Sequence, residues 1–239
     1  MSSIFYPANE RGHVQFDWLD TYHSFSFGQY HDPSKIHFGA LRVLNDDKVD
    51  AGMGFGTHPH DNMEIITIPL FGDLHHRDST GRDCIIKEHD VQIMSAGSGI
   101  QHSEVNPNKD KRVELFQIWI FPKERNITPR YDQKSFLPED RVDQLLTVVS
   151  PNEPGTLFIN QDAWLSLGHF KKPFTTNYPM HQAGQGLFAI CIEGTCTVGG
   201  QVLGRRDAVG ISGVEAVQIE ATAGSDLLLI EIPHFTTGA

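Results

Sequence analysis

The spacing of the apolar runs constrains this chain more than any other feature. Phe38–Leu44, Glu64–Leu70, Asp83–Ile86, Val91–Met94, Glu114–Phe121, Gln144–Val149 and Leu157–Asn160 form one series. Ala163–His169, Gly186–Ile192, Thr195–Val198, Asp207–Ile211, Glu215–Glu220 and Asp226–Ile232 form a second. Gly, Pro, Asn or Asp falls between neighbouring runs. Each run is too short for a packed helix, and close, regular spacing of this kind predicts an all-β sandwich or barrel. Only Glu10–Trp18 and Pro138–Leu145 carry a helical pattern, and both are predicted as short helices. The stretch from Pro122 to Asp140 holds Pro122, Pro129 and Pro138 among many charged residues, which reads as a solvated connector. The expected organisation is therefore two β domains, 1–121 and 141–239, joined by a connector at 122–140.

Composition narrows the partners. Hydrophobic residues make up 39% of the 239, enough for a core, and 30 acidic against 19 basic residues give a net charge of −11. A chain that negative is poorly suited to gripping a phosphate backbone by counterion release, so direct nucleic-acid binding is not expected. The cysteines are Cys84, Cys191 and Cys196. An odd number points to a reducing compartment rather than a disulfide framework. On an unbroken strand Cys191 and Cys196, five apart, would face opposite ways. The first residues lack a basic start followed by an apolar run, and no stretch is long and apolar enough to cross a bilayer, so a cytoplasmic protein is expected.

Thirteen histidines are too many to interpret singly, and spacing has to choose among them. His58-Pro59-His60 places two imidazoles on one face of a strand, with Glu64 four residues on. His102-Ser103-Glu104 places an imidazole and a carboxylate on one face by the same parity. Together they offer three nitrogens and one or two oxygens, a donor set that suits a divalent iron, manganese, cobalt, nickel, copper or zinc ion and leaves positions open for a substrate. Gly52 precedes His58 by six residues, Gly72 lies beyond it, Gly97-Ser98-Gly99 leads into His102, and Asn106 follows by four. His75-His76, His89, His31 and His37 are expected in turns, without a metal role. His13 and His23 are expected to satisfy hydrogen bonds near the barrel wall. The C-terminal half offers only Tyr178-Pro179-Met180-His181 where a second His-x-His would lie, so no metal ligands are expected there.

These motifs are similar to those of the pirin family, bicupin proteins that include bacterial quercetin 2,3-dioxygenases. The carrying residues are Asn9-Glu10-Arg11-Gly12-His13, Trp18-Leu19-Asp20, His23-Ser24-Phe25-Ser26-Phe27, Gly56-Thr57-His58-Pro59-His60, Met63-Glu64-Ile65, Met94-Ser95-Ala96-Gly97, Gly99 through Glu104, Leu115 through Ile120 and Thr128-Pro129-Arg130-Tyr131. The match is dense over residues 9–131 and thin beyond.

The resemblance implies two packed β-barrel domains of the double-stranded β-helix, jelly-roll type, with a metal site in the first. It implies that His58, His60, His102 and Glu104 hold one divalent transition metal, Fe(II) foremost. Glu64 stands where many other cupins supply their carboxylate ligand. The resemblance favours Glu104 as the ligand, with Glu64 behind the imidazoles. It further implies a dioxygenase that opens quercetin or a related flavonol with O2 and releases CO, Glu104, or Glu64 beside it, taking the substrate hydroxyl proton, in a monomer. Two other activities fit the same family: an iron-binding, redox-responsive transcription cofactor that acts through a protein partner, and another small-molecule cupin enzyme.

Overall fold

The run Glu64–Phe71 shows how the sequence builds the fold. Its Ile65, Ile66, Thr67 and Ile68 are β-branched, which favours extended backbone. In the computed structural model, which describes residues 1–234, this run is an inner strand paired on one side with Asp90–Ser95 and on the other with Val113–Ile120. Its side chains alternate between two environments: Ile66 and Ile68 enter one apolar cluster, Ile65 another.

The strands form four sheets. In the first half a seven-stranded sheet runs Arg130–Ser135, Asp90–Ser95, Glu64–Phe71, Val113–Ile120, Leu41–Val49, Leu19–His23, Gly12–Gln15. Its partner layer has the order Gly54–His60, Ile100–Val105, Leu74–Asp78, Asp83–Ile86. The second half repeats the scheme, with a seven-stranded sheet running from Ser2–Tyr6 through Ala208–Ser212, Gln185–Glu193, Ser225–Pro233, Trp164–Phe170 and Leu145–Ser150 to Leu157–Phe158. Its four-stranded layer is Phe174–Pro179, Ala216–Ala221, Cys196–Val198, Gln201–Leu203. The architecture is the expected pair of all-β cupin domains, with one difference. Among the described residues no sheet closes on itself, so each domain is an open two-layer sandwich and not a closed barrel.

The two seven-stranded sheets pack against each other, and the largest apolar cluster lies between them. Ile66, Ile93, Phe116 and Ile118 from the first domain meet Leu165, Phe188, Leu228 and Ile230 from the second. Asp46 adds a polar tie: its Oδ2 accepts from Arg11 Nη1 at 3.1 Å and from Arg206 Nε at 2.9 Å, all three side chains being buried. Inside the sandwiches the domains differ. The second is filled by one continuous cluster that includes Leu187, Cys191, Val209, Ile219 and Leu229. The interior of the first is split into two smaller clusters, one around Leu19, Val49 and Leu115, the other around Ile65, Met94 and Ile100. Polar residues occupy the space between them, and that space holds the site.

Several expectations need correction. Glu10–Trp18 is not a helix: Ala8–Glu10 makes one 3-10 turn, and Gly12–Gln15 is a strand paired with Leu19–His23. An isolated nine-residue helix is marginal, whereas the hairpin satisfies its backbone against a neighbour. Gly12 packs under Tyr30, whose Cγ would lie 2.2 Å from any added Cβ. In Pro138–Leu145 only Pro138–Arg141 turns, because Asp143 adopts φ 54° and the strand Leu145–Ser150 follows. The connector is not simply a solvated link, since Arg130–Ser135 forms the edge strand of the first domain's sheet. An edge strand tolerates charge, which is why its sequence looks like a linker. Ser2–Tyr6, conversely, pairs with Ala208–Ser212 in the second domain's sheet. Cys191 and Cys196 meet after all, because the chain reverses at Gly194, φ 77°, and brings the two buried thiols together.

Candidate metal centre

Two strands of the four-stranded layer bring the imidazoles together. His102 lies directly opposite His58 in the pairing of Ile100–Val105 with Gly54–His60. Directly opposed residues in an antiparallel pair have adjacent side chains. His60, two residues from His58, shares its face. The ring centroids lie 4.4 Å apart for His58 and His102, 4.8 Å for His60 and His102, and 4.8 Å for His58 and His60. One ligand atom from each of the three falls within 4.8 Å of the others. A glycine makes this pairing possible: a Cβ at Gly54 would sit 2.2 Å from the Glu104 carbonyl oxygen.

The nitrogens are prepared for a cation. His58 Nδ1 lies 2.7 Å from the Gly56 carbonyl oxygen, an arrangement that leaves Nε2 free to coordinate. His102 is buried and neither of its ring nitrogens has a hydrogen-bond partner. Buried polar atoms are seldom left unpaired, and a divalent ion shared with His58 and His60 would engage one of these two nitrogens. Burial and the neighbouring imidazoles push the His102 pKa down to about 2 and that of His60 to about 4, so both rings stay neutral, the form that binds metal. The donor chemistry therefore fits a transition-metal ion.

Glu104 is buried two residues beyond His102 on the same regular strand; the register shift beside them adds its extra residue to the strand of His58. Gln117 Nε2 donates to its Oε2 at 2.9 Å and Thr67 Oγ1 to its Oε1 at 3.3 Å. Burial raises its proton affinity, which His76 and these donors partly offset.

Glu64 is not brought into this cluster. The strand carrying His58 and His60 ends at His60, and Glu64 opens a strand of the other sheet, so parity counted from His60 does not carry across. Its neighbour Ile65 faces the site and Glu64 faces away. Glu64 Oε2 accepts from Ser95 Oγ at 2.8 Å and from the backbone N–H of Asn160, in the other half of the chain, at 3.1 Å. Burial pushes its pKa up to about 7.

Two participants were missed. His76, expected in a turn, lies on the strand Leu74–Asp78, opposite Glu104. It is fully buried, with Nε2 2.9 Å from Asp78 Oδ2, and its ring is 5.4 Å from that of His102. His76, His102 and Glu104 form a second set of ligand atoms within 4.8 Å. The signal was the parity of Leu74, His76 and Asp78, hidden because adjacent His75 points outward to Asp83. Asp47 lines the same cavity, with Thr21 donating to it, and burial lifts its pKa to about 7. The cavity measures about 90 Å³, and its apolar wall includes Leu19, Phe27, Phe55, Ile65 and Trp119. His23, buried and held near pKa 4, also faces it. In the second domain, His181 lies with Nδ1 2.7 Å from Glu231 and stacks on Trp164.

Comparison with known proteins identifies the family of the chain. Residues 6–120 match the pirin family model and residues 147–232 the quercetinase C-terminal cupin domain. A quercetin 2,3-dioxygenase of Escherichia coli K12 is 42% identical over 229 residues, covering 95% of this chain and 96% of the relative. The chain belongs to the pirin family. A pirin-like protein of Caulobacter vibrioides is 36% identical, over 94% of this chain and 97% of its own length. The crystal structure of YhhW from Escherichia coli superposes with a TM-score of 0.93 at 40% identity, covering 99% of this chain and all of that one. A second structure of that pirin, described as a complex with nickel(II), gives 0.92 at 40% identity, covering 98% and 100%. Among the described residues no helix is long and apolar enough to cross a membrane.

Proposed function

We propose that this pirin is a metal-dependent dioxygenase that opens quercetin or a related flavonol with O2 and releases CO, using His58, His60, His102 and Glu104 to hold one divalent first-row ion. The observation that carries the reading is His102, a buried imidazole with both nitrogens unpartnered, facing two more imidazoles beside a buried glutamate. Fe(II) is the leading ion, and nickel, zinc, copper, manganese or cobalt suit the same donors. When bound, the ion supplies Lewis acidity toward the adjacent hydroxyl and keto oxygens of a flavonol and a site at which O2 can react.

The chain's own residues define the rest. A cavity of about 90 Å³ is small beside the roughly 300–1,000 Å³ of pockets that enclose a whole ligand, so it admits the chelating edge of a flat molecule and leaves the remainder at the mouth. Phe27, Phe55 and Trp119 present aromatic surface to that edge and keep water from it. Glu104, its proton affinity raised by burial, takes the substrate hydroxyl proton on a carboxylate oxygen, while Gln117 and Thr67 hold the group in place. One ring carbon then leaves as carbon monoxide as the ring opens.

The test follows quercetin absorbance in air with metal-loaded protein, beside an oxygen electrode. Steady bleaching with matched O2 uptake supports the reading. A tight, unreactive complex would instead make the protein a metal-responsive binding module, and turnover without O2 uptake would make it another cupin enzyme. Glu104→Gln is expected to abolish turnover with the fold intact; full retained activity removes Glu104 from the chemistry.

A further inference from the structure

A second cavity, of about 540 Å³, opens between the two domains, away from the imidazole cluster. Its volume lies within the range of small-molecule pockets. Phe71 and Leu70 of the first domain, Phe136 after the edge strand, and Leu167 and Ile192 of the second make its wall largely apolar. Arg141 is set into that wall. Only 13% of its side chain is exposed, its Nε has no hydrogen-bond partner, and the nearest carboxylate oxygen, on Asp226, stands 3.8 Å from Nη1. That oxygen already lies 2.9 Å from His169 Nδ1. A guanidinium held this way is costly, since its buried Nε–H has lost water without gaining an acceptor.

Most of the other charged groups around the cavity are engaged. Asp90 accepts from Ser135, from Gln133 and from the Lys87 backbone. Glu193 accepts from Arg205, and Arg206 is held by Asp46 and the Ile192 carbonyl. Glu114 adds one negative charge to the wall without an ion pair of its own among the described residues. The Arg141 guanidinium, loosely paired with Asp226 at 3.8 Å and standing in a wall that also carries Glu114, favours a monoanion over a dianion. A carboxylate matches the planar fork of arginine with two parallel hydrogen bonds.

We propose that the inter-domain cavity is a binding site for a small aromatic carboxylate, with Arg141 gripping the carboxylate and Phe71, Phe136 and Leu167 covering the ring. The site is independent of the metal centre and of the activity proposed for it.

Calorimetric titration of the full-length, metal-loaded protein with benzoate, and with benzamide as its uncharged isostere, tests the assignment. Benzoate is expected to bind at one site per chain, and benzamide about tenfold more weakly or less. Arg141→Gln should weaken benzoate about tenfold or more, and Phe71→Ala, at a half-exposed position that leaves the core intact, should weaken both ligands severalfold. His102→Ala should leave benzoate binding unchanged. Equal affinity for benzoate and benzamide, indifference to both cavity variants, loss of binding in His102→Ala, or no saturable binding below about 10 mM would each overturn the proposal.

Discussion

Gln117 offers the sharpest test of how the site holds its carboxylate. Its Nε2 donates to Glu104 Oε2 at 2.9 Å, and the only other side-chain donor among the described residues, Thr67 Oγ1, is at 3.3 Å. Gln117→Leu keeps the volume and deletes the donor. A hydrogen bond to a charged group is worth about 1.5–3 kcal/mol. Glu104 must be ionised to bind a cation, but in metal-free protein burial favours its protonated form, which needs that donor less. Most of the loss should therefore fall on the metal-bound state. At about 1.4 kcal/mol per decade, the dissociation constant should rise about 10–150-fold, in line with the usual cost of removing a group that orients a metal ligand. Competition against a fluorescent chelator at neutral pH measures it directly. A change below about threefold, with the variant folded, would refute the view that Gln117 prepares Glu104 for metal.

Other predictions follow from buried groups outside the cluster. Glu64, with a pKa near 7 against an ordinary 4.5, binds its proton in the folded state where the unfolded chain has lost it, so its contribution to stability falls as pH rises from about 4.5 to 7. Glu64→Gln should therefore gain on the parent by up to roughly 3 kcal/mol between pH 5 and pH 8 in denaturant titrations; a gap that stays constant with pH would contradict this. Tyr6 is buried against Phe25 and Phe188, with ring centroids 5.8 and 5.2 Å away, and Tyr6→Ala should cost about 3–5 kcal/mol in unfolding free energy while leaving metal content unchanged. Asp46→Leu strands the buried Arg11 and Arg206 and should destabilise by about 3–5 kcal/mol, measured the same way.

The sequence displays those parts of the fold and site that depend on local parity. His58 with His60, and His102 with Glu104, each lie on one uninterrupted strand, so alternation alone gives them common faces. Parity fails where the chain turns. Asp61 to Met63 separate His60 from Glu64 and restart the count in another sheet. Gly194 reverses the chain between Cys191 and Cys196 in the same way. Asp47 is hidden for a different reason, since its place in the cavity comes from packing that no single segment contains; His76 is marked by the parity of Leu74, His76 and Asp78, but its neighbour Glu104 is set by cross-strand register. The edge strands Ser2–Tyr6 and Arg130–Ser135 were missed because one exposed edge relaxes the demand for apolar residues that marks an inner strand such as Glu64–Phe71.

The central claim is that four side chains from two paired strands enclose one ion, and elemental analysis of purified protein, after reconstitution and removal of loosely bound metal, tests it most directly. The account predicts close to one first-row transition-metal ion per chain in the parent and almost none in folded His58→Ala and His102→Ala. A parent that retains no metal, or variants that keep a full equivalent, would contradict it.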